Sequence, residues 1–406
     1  MLKTFTTIAL TVSAFYSIAQ KFTIEKAATP YSNIIEWKGM GGILMNKIVN
    51  SNQIYLTLIG EKDKSIWNQQ IAPPNEKYFF ISSENARYVY FLRNLNPEAG
   101  KIYFDQLNSA GNVKYTNVNM QTVIRNLGYD ILNLELKNVV VTDKALVHHF
   151  RYHDKKEKVF VDIATFITHH NMLVYAVELG KSKEDDVKSG KTNTFQYVGF
   201  TGDEICFADY SSAANSKAWN AIVFNSKGQE QRRLVLKNKA SNHQSFGTVG
   251  FGTTGSYYIG AEKDVQNGLV TFHNGNFYFS ILNNLTGKNT LELYQLDQEN
   301  WKLINSHVIH STLSKKQINI GIYPLNEALS YRISGGDNGE QTVALPLDGS
   351  TSITHSFNDS FIFNPSRSII SDKKEFFAVT LHSGNLFFDK NQLKKEGNVE
   401  FEFIKK

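Results

Sequence analysis

A hairpin that keeps returning is the feature that most constrains this chain. Two short apolar strands flank a polar turn in Lys101–Val118. The same shape recurs in Trp219–Leu236, Thr290–Ile309, Gln341–Phe357 and Gly384–Ile404. Repetition of one supersecondary unit marks a modular all-β fold, in which each unit buries its faces against its neighbours.

The turn centres fall at Asp63, Gly111, Lys155, Gly228, Asn300, Gly349 and Gly397. Most of the intervals between them match one propeller blade, about 40 to 50 residues. The two long intervals hold insertions: the charged Gly180–Asn193, and Lys239–Ser256, rich in Gly, Ser and Thr. Two further strand-like runs precede each hairpin. One unit reads Tyr78–Ser82, Arg87–Leu92, Lys101–Gln106 and Val113–Val118. A second reads Phe195–Phe200, Glu204–Tyr210, Trp219–Phe224 and Gln231–Leu236, and a third Ser256–Ala261, Asn276–Leu282, Thr290–Leu296 and Trp301–Ile309.

Four antiparallel strands per repeat is the blade of a β-propeller. The second strands, Tyr88–Leu92 and Phe277–Phe279, are apolar on both faces, as strands covered by blades on each side should be. The expectation is an all-β propeller of about seven four-stranded blades with almost no helix. Six or eight blades fit a different split of Gln121–Val177, and a pair of β-sandwiches is the alternative architecture. The chain resembles secreted β-propeller proteins across Asn33–Lys406 in architecture only. The WD dipeptide is absent, and the pairs Gly41-Gly42 and Gly335-Gly336 are too few for a kelch series.

Residues 1–19 read as an export signal. Lys3 supplies a positive n-region, Ile8–Ile18 an apolar run, and Ser17-Ile18-Ala19 a cleavage site. The Ala19-Gln20 junction resembles signal peptides of secreted Bacteroidetes proteins. A single propeller domain over 20–406 follows. It is expected in the periplasm or outside the cell, with no transmembrane anchor, since no later run is long and apolar enough to span a bilayer. Cys206 is the sole cysteine, so no intrachain disulfide can form, and 13% aromatic and 41% hydrophobic residues must supply the core. The net charge of +5 is spread over short clusters at turns (Lys155-Lys156-Glu157-Lys158, Arg232-Arg233, Lys394-Lys395). Turn residues in water explain these. An anionic glycan or headgroup patch is the sharper alternative, and nucleic acid is disfavoured.

No local motif carries catalysis. Gly250-Phe251-Gly252-Thr253-Thr254-Gly255 spells G-x-G-x-x-G, but a strand-like run follows where a dinucleotide site needs a helix. Ser189-Gly190-Lys191-Thr192 resembles the end of a phosphate loop, yet Asp185 stands where that loop requires glycine. Ser334–Gly339 is similar to the Asp-box turn of sialidase-like propellers, with the wrong spacing. Five of eleven histidines (His148, His149, His153, His169, His170) crowd one region without H-x-H spacing. A metal site there requires His153 to meet His169; no metal and no cofactor is expected. Trp37, Trp67, Trp219 and Trp301 read as core rather than as sugar platforms.

These readings favour a binding module for a protein or glycan over an enzyme. A secreted carbohydrate-active hydrolase with acidic residues at the central channel, or a structural envelope subunit, is the alternative. Lys239–Ser256 is the candidate binding loop. His243, Phe246, Phe251 and Tyr257 offer stacking and hydrogen bonds there, and its glycines allow close approach of a ligand. Gly180–Asn193 reads as a mobile, solvated loop. Oligomeric state is not written in the sequence.

Overall fold

The computed structural model describes residues 112–189, 191–213, 216–239, 266–283, 290–309, 327–334 and 340–357, and elsewhere the strands named below. These residues form meanders of four antiparallel strands, a to d in chain order. Unit VII takes its d strand, β1 (Gln20–Ile24), from the start of the chain. Unit I is β2 (Ile34–Trp37), β3 (Gly42–Asn50), β4 (Gln53–Gly60) and β5 (Ser65–Ile71). Unit II is β6 (Phe79–Ser82), β7 (Val89–Leu92), β8 (Lys101–Leu107) and β9 (Val113–Asn119). A short helix, α1 (Gln121–Asn126), and a 3-10 turn at Ile131–Asn133 lead to unit III.

Unit III is β10 (Leu134–Val141), β11 (Ala145–Asp154), β12 (Val159–Thr168) and β13 (Val174–Lys183), followed by α2 (Glu184–Lys188). Unit IV is β14 (Gln196–Thr201), β15 (Glu204–Ala213), β16 (Ser216–Phe224) and β17 (Glu230–Lys237). Two short strands come next, β18 (Thr248–Val249) and β19 (Gly255–Tyr257). Unit V is β20 (Gln266–His273), β21 (Asn276–Asn283), β22 (Thr290–Asp297) and β23 (Asn300–Val308). Unit VI is β24 (Ile318–Pro324), β25 (Ala328–Ser334), β26 (Glu340–Pro346) and β27 (Ile353–Phe357).

The last sheet runs β28 (Ser368–Ile370), β29 (Phe376–His382), β32 (Asn398–Ile404), β1. The small hairpin β30 (Phe388–Asp389) and β31 (Gln392–Leu393) sits between β29 and β32. β1 pairs with β32 from Gln20↔Phe403 to Ile24↔Val399, joining the two ends of the chain in one sheet.

The sheets stack face to face in chain order, because strand alternation gives each one two apolar faces. Leu146, Phe150, Val161, Ile163 and Ile167 of unit III pack with Val118 and Met120 at the end of unit II. The opposite face of unit III, Ala145, Val147, Ala164 and Phe166, meets Ile205, Phe207, Ile222 and Phe224 of unit IV. Cys206, Ala208, Trp219 and Val223 of unit IV then meet Val270, Phe272, Phe277, Phe279 and Ile281 of unit V. Unit V turns Leu269, Tyr278, Leu282, Leu291 and Leu293 to unit VI, where Ser280 and Tyr331 hydroxyls lie 2.6 Å apart. A sandwich leaves one face of each sheet in water; sheets buried on both sides in sequence make a β-propeller.

The expected strands of units II and IV agree with those found. Ser256–Ala261 is not the first strand of unit V; that strand is β20, and the first strand-forming residues of the run belong to β19. Lys155 lies in the middle hairpin of unit III, between β11 and β12, rather than in its last. Gly397 lies outside the described residues; in chain order it precedes β32, the third strand of its sheet, because β1 supplies the fourth. Cys206 is fully buried and free, and burial pushes its thiol well above the usual range.

Candidate functional site

In a four-strand meander the a–b and c–d turns fall at one end of the sheet. The b–c turns and the d–a connections fall at the other. Within units III to VI the first end is uniformly tight. Its turns run from Gly202-Asp203 and Asn274-Gly275 to residues 347–352. Asn274 and Gly275 both have positive φ, the geometry that lets two residues reverse a twisted ribbon. The d–a connections carry the extra length: residues 120–133, 184–195, 238–265 and 309–317. Between the strands of units III to VI, the a–b and c–d turns are short and the d–a connections long.

The connections flanking unit III are fixed to it by side chains. His149, Arg151 and His153 alternate along β11 and point the same way. His149 Nε2 and Arg151 Nε each lie 3.0 Å from Asp162 Oδ1, and Asp162 Oδ2 accepts from the Phe195 backbone N–H at 3.1 Å. Arg151 Nη2 donates to Thr194 Oγ1. His153 Nε2 lies 3.0 Å from Glu184 Oε2, and Lys188 also pairs with Glu184. Those two partners, Lys188 first, hold the Glu184 carboxyl below its usual range. Asp162 is wholly buried and makes three charge-assisted contacts, which offset its desolvation. Facing it, Asp209 accepts from Asn220 Nδ2 at 2.8 Å, while burial raises its carboxyl. On the other connection, Tyr129 donates to Glu178 Oε2 at 2.7 Å, and Gln121 bonds both Asp130 and the Ile131 N–H.

Gly180–Asn193 is therefore not a free loop. Its first residues extend β13, its centre is α2, and Thr192 bridges to Ser211. Lys191 donates its backbone N–H to Asp186 O, closing the segment that resembles a phosphate loop on itself.

The second insertion leaves unit IV beside unit V. Trp301 Nε1 donates to Lys237 O at 2.7 Å, and the Lys239 ammonium lies 4.8 Å from the centre of the Tyr294 ring. It then reaches the propeller axis. The axis is marked by β14 and β20, the a strands of units IV and V, which pair in parallel at Gly199↔Phe272. Gly199 has φ +142, and a Cβ there would stand 1.9 Å from the Phe272 carbonyl oxygen, so only glycine fits. β18 and β19 both pair with β24, the a strand of unit VI, and β18 also lies against β14.

Of the candidate binding residues, Tyr257 lies in β19, its backbone in register with Ile318. His243, Phe246 and Phe251 lie outside the described residues. The G-x-G-x-x-G run joins β18 to β19 and opens a strand, not a helix. Ser334 ends β25 and Glu340 begins β26, so the motif similar to an Asp box joins two strands. Trp219 is wholly buried against Tyr210, and Trp301 packs on Phe279; the side chains of Trp37 and Trp67 lie outside the described residues.

The crowded histidines do not converge. His153 is at one end of the β11–β12 hairpin. His169, whose ring bonds Thr142 O at 2.8 Å, is at the other. His148 lies on the unit II side of β11, fully buried, stacked on Phe150, with neither ring nitrogen bonded among the described residues. Among the described residues no group of three metal-ligating side chains comes together. The Asp162 assembly was missed in the sequence. Its signal was a lone carboxylate in an apolar strand (Val159–Thr168) facing alternating basic residues on the strand before.

No family model matches the chain, and no curated protein is similar to it in sequence. Solved structures that resemble it in outline include oligogalacturonate lyase in complex with manganese, at 9% identity and TM-score 0.49 over 95% of this chain and 96% of that one. Another is the β-propeller domain of the Trilobed protease from Pyrococcus furiosus, at 11% identity and TM-score 0.37 over 79% of this chain and 93% of that one. The WD40 domain of SCAP from fission yeast matches at 9% identity and TM-score 0.37, covering 95% and 98%. Likeness at this level carries no argument about activity; the architecture rests on the sheet order and the stacking described above.

Proposed function

We propose that the protein is an exported, seven-bladed β-propeller that binds a protein or glycan through the face carrying the d–a connections. The observation that supports this is the asymmetry of loop length. A d–a connection must cross about 14 Å from the outer edge of one sheet to the axial edge of the next, which roughly five extended residues can span, yet residues 120–133, 184–195 and 238–265 far exceed that, and around unit III the extra chain is fixed by buried hydrogen bonds. Rigidly held loops on a repeat scaffold are suited to recognition because little ordering entropy remains to be lost on binding. A hydrolase would need carboxylates converging on the axis. The buried pair Asp162 and Asp209 lies instead between units III and IV, engaged with His149, Arg151, Phe195 and Asn220.

The test is to replace residues 240–258 and, separately, residues 185–191 with short Gly-Ser links. Binding of each folded variant to native envelope fractions and to a glycan array is then compared with the parent. Loss of binding in either variant supports the reading, and undiminished binding in both sinks it. Export is tested by N-terminal sequencing of the mature protein from its host, which should begin at Gln20.

A further inference from the structure

The axial edge of β24 is covered by the chain itself in an unusual way. β25 pairs with one edge of β24, and the other edge faces the axis. On that axial edge Thr248 and Val249 run parallel to Gly321 and Ile322. Beyond residues 250–254 in the sequence, Gly255, Ser256 and Tyr257 run antiparallel to Ile320, Asn319 and Ile318. Five consecutive residues of β24, Ile318 to Ile322, are thus served end to end by two separate fragments. Each fragment is too short to be stable as a strand alone, and the first pairs in the weaker parallel sense. Gly250, Gly252 and Gly255 in the sequence that links the two fragments raise the entropy gained on release. An unpaired strand edge demands a partner, and this one holds a makeshift one.

We infer that the axial edge of β24 is a strand-docking site, occupied in cis by residues 248–257, and that an extended peptide segment of a protein partner docks there by displacing them. A single continuous strand pairs with β24 through one unbroken ladder, where the resident fragments change direction halfway. Main-chain pairing of this kind supplies affinity with little demand on sequence. The inference rests on the binding reading for its biological use and narrows the ligand to a protein.

The experiment is hydrogen exchange of the amides in 318–322, with a synthetic peptide of residues 245–258 as probe. In the full chain these amides are protected. In a variant with residues 245–258 replaced by a Gly-Ser link, the alternate amides among them that point to the axis exchange faster by at least about tenfold while those paired with β25 stay protected, and added peptide binds and restores protection. The full chain binds the same peptide at least about tenfold more weakly, because the tethered occupant competes at roughly millimolar effective concentration. If the replacement fails to fold, Ser256→Pro and Tyr257→Pro are made separately in the full chain. Successive residues of a strand aim their N–H groups in opposite directions, so one of the two removes a donor from the β24 ladder and speeds exchange at 318–320. Unchanged exchange at 318–322 in the folded variants, or no peptide binding to them, overturns the inference. Either result leaves the loop-face reading standing, since replacement of residues 185–191 tests that reading without touching the β24 edge.

Discussion

Mild acid should destabilise this protein through two buried histidines. His148 sits between units II and III with no hydrogen-bond partner among the described residues, and burial pushes its pKa down to about 3. His169 is held near 4, again chiefly by burial. Both are neutral in the native state above pH 5, whereas the unfolded chain takes up protons near pH 6.5. The unfolded state therefore binds more protons as pH falls below that value, and stability falls with it. At pH 5 the unfolded histidine is about 97% protonated, which costs about 2 kcal/mol of stability for each residue. Together they remove about 4 kcal/mol, a large share of the roughly 5–15 kcal/mol typical of a domain. Asp143 and Asp209 act in the opposite sense, since burial raises both carboxyls and native protonation becomes favourable on acidification. A His148→Leu variant separates these effects, because the carboxyl contributions are common to both proteins. Urea unfolding followed by Trp fluorescence at pH 7.5, 6 and 5 gives the two pH profiles. The variant should lose about 2 kcal/mol less than the parent between pH 7.5 and 5. Identical profiles would refute the burial of a neutral His148.

Gly199→Ala should cost at least about 2 kcal/mol, measured by thermal or urea unfolding, because its Cβ is driven into the Phe272 carbonyl where β14 meets β20. Asp162→Asn should cost about 3–5 kcal/mol by leaving His149 and Arg151 without their carboxylate. It should also speed hydrogen exchange at Thr194–Gln196; unchanged exchange there would remove its role in fixing the 184–195 connection. Cys206 should react with thiol reagents only as fast as the protein unfolds, and Cys206→Ser should cost about 1–3 kcal/mol by burying a hydroxyl.

The repeat was legible wherever structure is local. Units II and IV could be read strand by strand because their turns carry glycine or Asn-Ser signals and their outer strands alternate. Unit III defeated the same reading for a physical reason. Its last turn, His169 to Leu173, places Met172 rather than glycine at positive φ, while the charged residues 155–158 mark the middle hairpin. In unit V the insertion contains its own strand-forming residues, and Ser256-Tyr257 mimicked the blade strand that β20 provides. The partner of β32 lies at the far end of the chain, and no local pattern announces a pairing between Gln20 and Phe403. α2 could have been seen: Glu184, Asp185 and Asp186 in a first turn with Lys188 in the last suit a helix dipole. The Asp162 assembly needed the register of β11 against β12, which places Arg151 opposite Asp162; composition alone does not supply it.

Recognition through the face bearing the d–a connections can be observed by covalent footprinting of the native protein. The protein is labelled by hydroxyl radicals with and without bound material from an envelope extract, and protected peptides are mapped. Protection should be confined to residues 120–133, 184–195 and 238–265, with the turns Gly202-Asp203 and Asn274-Gly275 labelled equally in both samples. Protection at those tight turns, with the three connections unchanged, would contradict it.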